Sequence, residues 1–300
     1  MGSSLLTEDP VANPHDRFCA LPDELASLES AAAAILPVPY DLTSTWKKGA
    51  DRAPAAIIEA SHHIEWYDPV AGEEVCRRGI ATLDPLLCHA GPETLADLVD
   101  DGITGLLKRG VLPVMLGGDH SVSIGAIRAA ARELGGLSVL QIDAHSDLRD
   151  AYGGSRFNHG CVMARAREWC PVVQVGIRAF DITELPLLDA ERVIYGHQIN
   201  GPGAQTDWID RAVDQLGKRV YVTIDLDGFD PAYVPATGTP EPGGLDWYQV
   251  TGLLQRVASE REVVAFDVVE LLPTPGQWAS EFLAAKLTYR FLSLILTSDS

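Results

Sequence analysis

The chain has 300 residues, 46% of them hydrophobic, and a formal net charge of −19. That length accommodates one large α/β domain or two smaller ones, with enough apolar residue for a core. The charge argues against nucleic acid and anionic membrane surfaces as partners, and no apolar run approaches the roughly 20 residues of a membrane-spanning helix.

Residues 1–16 are polar and lack the basic and apolar regions of a signal peptide. They are read as a disordered segment preceding a single domain over 17–300. Strands are predicted at 34–38, 112–116, 138–142, 172–175, 193–195, 220–224 and 263–268, all short runs rich in Val, Ile and Leu. Between them the periodicity predicts helices over 54–66, 93–108, 121–134, 161–169, 206–216, 246–261 and 280–296. The third starts at a Ser121 hydroxyl cap and ends at Gly135-Gly136. Strand-then-helix alternation predicts an α/β fold with a mainly parallel central sheet covered on both faces. Two long stretches, 143–160 and 225–245, lack a clear element, and long ordered loops in a compact domain usually carry function.

Five cysteines without CxxC spacing fit reduced thiols in a cytoplasmic protein. Cys161 lies two residues after His159, yet packing is the better reading, because a free cysteine behaves as a small apolar residue. His62 and His63, on an Ala/Ile-rich helix, also read as partly packed side chains, and Trp66 and Tyr67 as core or interface.

Three polar clusters interrupt this pattern, each directly after a predicted strand: Gly-Gly-Asp-His-Ser at 117–121, Asp-Ala-His-Ser-Asp at 143–147 and Asp-Leu-Asp-Gly-Phe-Asp-Pro at 225–231. Acidic groups at the ends of buried strands are costly unless compensated. Strand alternation puts Asp143, His145 and Asp147 on one side, and pairs Asp225 with Asp227. If the three strand ends are neighbours, four carboxylates and two neutral imidazoles, His120 among them, converge. Two divalent ions would balance the four charges. Such donors favour manganese or a similar ion over zinc on thiolate. Two ions about 3.5 Å apart suit a bridging hydroxide that attacks an electrophilic carbon. Taken singly, Asp119-His120 could be a capped turn and 225–230 an Asp-rich turn. Taken together, at three strand ends, they favour metal.

With these motifs, Pro-Ala-Thr-Gly-Thr-Pro-Glu-Pro-Gly-Gly at 235–244 and Phe-Asp-Val-Val-Glu-Leu at 266–271, the chain resembles the ureohydrolases, the arginase–agmatinase family, from about Pro37 onward. The resemblance implies a three-layer αβα sandwich, two Mn²⁺ per chain, hydrolysis of a guanidinium to urea, and a homo-oligomer, trimer or hexamer. It implies that His120, Asp143, Asp147 and Asp225 bind one ion and Asp143, His145, Asp225 and Asp227 the other. Asp143 and Asp225 would bridge, with Asp230 shaping the turn. Glu270 resembles the guanidinium-binding glutamate and His159 the proton shuttle. Asp147 would also accept a hydrogen bond from the hydroxide, and Thr239 and Asn158 would line the site. Leu148-Arg149-Asp150 stands where arginases keep polar residues that read the amino-acid head, so the resemblance is to agmatinases, and a small cationic guanidine, agmatine, is the expected substrate, giving putrescine and urea. Arg149 would bind an acidic tail if free and serve as scaffolding if paired. Guanidinobutyrate and arginine are alternative substrates. A non-catalytic relative should have lost ligands, yet all six are present. A deacetylase of related fold needs one zinc and a His-His arrangement that this chain lacks.

Overall fold

Short runs dominated by Val, Ile and Leu can be buried on both faces only in a sheet covered twice. That is what the computed structural model, which describes residues 12–298, contains. The strands are β1 (Ala33–Val38), β2 (Ile80–Thr82), β3 (Leu112–Gly117), β4 (Leu137–Ile142), β5 (Val172–Ile177), β6 (Val193–Tyr195), β7 (Arg219–Asp225) and β8 (Glu262–Val269). They form one sheet in the order β2-β1-β3-β8-β7-β4-β5-β6. Every neighbouring pair is parallel.

The helices are α1 (Asp23–Ala26), α2 (Ala53–Ser61), α3 (Pro92–Lys108), α4 (Ser123–Leu134), α5 (Val162–Ala166), α6 (Gly196–Asn200), α7 (Trp208–Asp214), α8 (Trp247–Glu260) and α9 (Ala279–Ser298). One core packs Val114, Leu140, Ile142, Val222 and Phe266 from the sheet against α2, α7, α8 and α9. The other packs Met115, Val139, Tyr221 and Ala265 against α3, α4 and α5. Adjacent strand residues such as Val139 and Leu140 enter opposite cores, as the two-residue side-chain period requires. The result is the expected three-layer sandwich.

Differences from the sequence reading are local. Edge strand β2, whose Ile-Ala-Thr lacks the bulky Val-Ile-Tyr run that marks the equally short β6, is not among the predicted strands, and the short helices α1 and α6 are likewise not predicted. Helix α2 stops at Ser61 rather than Trp66. There the Ser61 hydroxyl accepts the Cys19 N–H at 2.7 Å and His62 Nε2 meets the Arg17 carbonyl at 3.0 Å, tying the chain to its N-terminal segment. Helix α5 spans only five of the predicted nine residues. The cap before α4 is Asp119, whose side chain takes the Ser121 N–H, not Ser121 itself. Of the segment expected to be disordered, residues 1–11 lie outside the described residues. From Ala12 the chain is placed: Ala12 is buried, donates to the Thr82 carbonyl at 2.8 Å, and leads into a 3₁₀ turn over Pro14–Asp16.

All five thiols are free, four of them buried. Burial pushes Cys161 up to about 11, which suits packing rather than nucleophilic attack. Tyr67 is exposed, while Trp66 packs against the first core. Among the described residues no helix is long and apolar enough to cross a membrane.

One polar staple joins α3 to α4. Asp100 accepts Arg128 Nε at 2.6 Å and Arg132 Nη1 and Nη2 at 2.8 and 2.6 Å. Burial would raise this carboxyl, but the two guanidiniums outweigh it and hold it below its usual range. A carboxyl whose folded pKa is depressed stabilises the fold above the unfolded value and loses that contribution as pH falls through the folded value. Asp100→Asn is therefore expected to cost about 1–2 kcal/mol near neutral pH. The difference from wild type should shrink below about pH 4, as read by thermal melts at both pH values. An equal difference at both would reject this role for the carboxylate.

Candidate active site

The order β3-β8-β7-β4 places side by side the four strands that precede the three polar clusters and Glu270. Because the strands are parallel, all four chain segments leave at the same edge of the sheet, at the carboxyl ends where open α/β sheets bind ligands. A cavity of about 380 Å³ opens there, its floor formed by His120, His145, Asp147, Asp225, Asp227 and Glu270.

His120 defines the first half of the floor. Its Nε2 lies 2.9 Å from Thr223 Oγ1, and the Thr223 hydroxyl donates to Asp267 at 2.6 Å. With that proton directed at Asp267, Thr223 accepts from Nε2–H, so Nδ1 is the nitrogen that a neutral ring would offer to an ion. Nδ1 sits 3.0, 3.2 and 3.5 Å from oxygens of Asp147, Asp143 and Asp225, yet is buried without a hydrogen bond. A lone pair facing carboxylate oxygens is repulsive unless a cation lies among them. A ring held by its far nitrogen is the usual support of a metal-ligating imidazole.

Two sets of donor atoms lie close enough to share an ion: His120, Asp143 and Asp147, and Asp143, His145 and Asp227. Asp143 belongs to both and is fully buried. Its oxygens are fixed by the His145 N–H and by Gln141 Nε2, each at 2.6 Å, and Gln174 in turn holds Gln141 at 2.6 Å. Asp227 stands 2.9 Å from His145 Nδ1 and accepts the Ala144 N–H at 3.1 Å. Asp225, expected to bridge like Asp143, lies outside both compact sets. One of its oxygens takes the Asp227 N–H at 2.8 Å and the other faces His120.

Burial, with the neighbouring carboxylates, pushes Asp225 and Glu270 well up and Asp147 up to about 6. The cluster does not hold its negative charge unaided. Carboxylate oxygens joined by two imidazoles match hard-to-borderline divalent ions, so the donor set fits the expected metal pair.

Backbone conformation is unusual at two of these residues. Asp147 has φ 52° and Glu270 φ 65°, in the left-handed region where a non-glycine residue costs about 1–2 kcal/mol. The twist turns Glu270 back over the first cluster, where it accepts the His120 N–H at 2.7 Å, while its own N–H reaches the Gly118 carbonyl at 2.8 Å. Gly118 is required there, since a Cβ would lie 1.9 Å from the Tyr40 carbonyl oxygen.

His159 and Thr239 form the cavity walls. The His159 N–H donates to Thr43 Oγ1 at 3.0 Å and its Nδ1 lies 3.1 Å from the same oxygen, while the Thr43 N–H bonds Asp119 at 2.8 Å. Burial above all pushes His159 down to about 4, so the ring is neutral at neutral pH. Thr239 Oγ1 lies 3.4 Å from Asp227. Asn158 does not line the cavity: it is buried, and its side chain caps the next turn by accepting the Gly160 N–H at 3.1 Å. Arg149 is at the wall and paired, 3.0 Å from Glu184 and 4.5 Å above the Tyr152 ring. Asp230 shapes the turn as expected, accepting the N–H groups of Ala232, Gly243 and Gly244. His62 and His63 join neither donor set.

The sequence reading missed the supporting residues Gln141, Gln174, Thr223 and Asp267, and also Thr43, Glu184 and Arg178. For the first four a signal existed: polar residues inside otherwise apolar strands, which are buried and so must have partners. The others sit in loops, where polar residues are unremarkable.

A chain from Synechocystis named N(1)-aminopropylagmatine ureohydrolase is 37% identical over 279 residues, covering 90% of this chain and 91% of the relative. A Thermus thermophilus protein of the same name is 41% identical over 270 residues, covering 89% and 91%. The crystal structure of agmatine ureohydrolase of Thermoplasma volcanium superposes with a TM-score of 0.82 at 31% identity, covering 94% of each chain. The Arginase family model matches residues 31–293, a span that contains every residue of both donor sets, and the chain belongs to that family.

Proposed function

We propose that this ureohydrolase carries two Mn²⁺ and hydrolyses the guanidinium of an agmatine-type cation, N(1)-aminopropylagmatine in preference to agmatine itself, releasing urea and the free amine. The observation that carries the reading is Glu270, a half-buried carboxylate held over the two donor sets in a strained backbone conformation. A planar guanidinium is the cation that a fixed carboxylate recognises best. The aminopropyl arm is favoured by the two relatives of that name, at 37% and 41% identity against 31% for the agmatine ureohydrolase. Asp181 and Glu241 on the cavity walls suit further ammonium groups, and Arg149, the cation best placed for an acidic tail, is neutralised by Glu184.

When bound, the metal pair supplies a water acidic enough to attack near neutral pH. The remaining steps belong to the protein. Glu270 orients the guanidinium so that its central carbon faces the donor sets. Asp147 accepts a hydrogen bond from the attacking water. His159 is neutral, with Nδ1 engaged by Thr43 and Nε2 without a protein partner among the described residues. It relays a proton to the departing nitrogen.

The test is urea release with Mn²⁺ from N(1)-aminopropylagmatine, agmatine, 4-guanidinobutyrate and arginine. The highest kcat/KM is expected for the aminopropyl compound, with agmatine second. Faster turnover of guanidinobutyrate or arginine than of both cations would sink the substrate reading.

A further inference from the structure

Behind the turn that carries Asp225 and Asp227 lies a guanidinium with no carboxylate within 4.0 Å among the described residues. It belongs to Arg178, the first residue after β5. All of its hydrogen bonds go to backbone carbonyls. Nη2 reaches Asp227 at 2.6 Å, Glu241 at 2.8 Å and Phe229 at 3.2 Å. Nε reaches Glu241 at 3.2 Å, and Nη1 reaches Gly176 at 3.0 Å and Gly228 at 3.4 Å. One side chain thus binds the end of β5, the metal turn and the loop that carries Thr239. The same two loops are joined from the other side by Asp230, which accepts the Gly243 and Gly244 N–H groups at 2.8 and 3.1 Å. The loop passes so close that a Cβ on Gly244 would lie 2.6 Å from Arg178 Nη2.

Carbonyl oxygens of five residues converging on one point repel one another. A planar fork with five donors is the side chain that satisfies such an array, and a lysine, with one nitrogen, is not. We propose that Arg178 is a positioning residue that holds Asp227 in register with Asp143 and His145 and so sets the affinity of that donor set for its ion. This rests on the binuclear reading above. It implies an uneven effect: the set His120, Asp143 and Asp147 has no contact with Arg178, so loss of the fork weakens one ion and spares the other.

The experiment is a Mn²⁺ titration of the metal-stripped full-length protein, with free Mn²⁺ read by its paramagnetic resonance signal and melting curves run alongside. Wild type is expected to take up two equivalents. In Arg178→Ala one equivalent should weaken about 10–100-fold, the range for residues that orient metal ligands, while the other stays within threefold. Arg178→Lys should show the same asymmetry, and decides the matter if the alanine variant does not fold. A folded variant that binds both equivalents with wild-type affinity, or weakens both alike, overturns the proposal and leaves the binuclear reading standing, since Arg178 would then be a structural pin that moves only the melting temperature. A wild-type protein that binds fewer than two equivalents overturns both. Urea release decides the substrate separately.

Discussion

Asp143→Asn is expected to abolish urea release, lowering kcat by at least about a thousandfold, and to empty both donor sets. The reason is geometric. Asp143 alone contributes an oxygen to each set, so replacing it by a neutral amide of the same shape withdraws one charge from both sites at once. The Gln141 and His145 contacts that fix it are made to its oxygens, one of which the amide retains. Loss of activity therefore reports on charge and ligation more than on folding. Metal analysis after Mn²⁺ incubation and removal of free ion should fall from two equivalents per chain to near none, because metal affinity depends on deprotonated ligands. Retained turnover, or two tightly held ions in the variant, would remove Asp143 from the centre of the site.

Glu270→Gln should separate activity from stability. An amide keeps an oxygen for the His120 N–H but cannot neutralise a guanidinium. Breaking a buried charge pair by removing one partner costs about 3–5 kcal/mol, so kcat/KM for a guanidinium substrate should fall by about a thousandfold. The metal-free fold should respond in the other direction. Burial and the nearby Asp119 and Asp227 push the Glu270 carboxyl well above its usual range. A raised folded pKa means that the ionised form is disfavoured in the fold, and stability declines as pH rises between the unfolded and folded values. The glutamine variant, free of that penalty, should melt at the same temperature as wild type or higher near neutral pH. A folded variant that keeps wild-type kcat/KM, or one that melts well below wild type when metal-free, would contradict the assignment.

How far the sequence went can be judged from particular residues. The apolar runs that became β1, β3, β4, β7 and β8 were readable because a strand buried on both faces is apolar at nearly every position. The polar clusters that meet at the cavity were readable because carboxylates and imidazoles at the ends of such strands need compensation. Strand β2 was not, since Ile-Ala-Thr holds a single bulky apolar residue, whereas the equally short β6 is Val-Ile-Tyr. Asn158 was placed on the site wall by its position beside His159. In the fold it points back to cap a turn, and neither its identity nor its spacing discriminates between those directions. For Arg149 the sequence does not discriminate between a free and a paired state. Its partner Glu184 lies 35 positions away, beyond any local pattern.

By itself the sequence determined the layers and the chemistry: hydrophobic periodicity is local, and so is the placement of each polar cluster at the end of its strand. It did not determine that the clusters meet. Strands β3, β4, β7 and β8 are dispersed along the chain, and only the sheet order β3-β8-β7-β4 makes them neighbours. Nor could it supply the left-handed backbone that turns Asp147 and Glu270 inward, or the Arg178 fork behind Asp227. These depend on contacts between residues far apart in sequence, whose cost is met by the packing of the whole sheet.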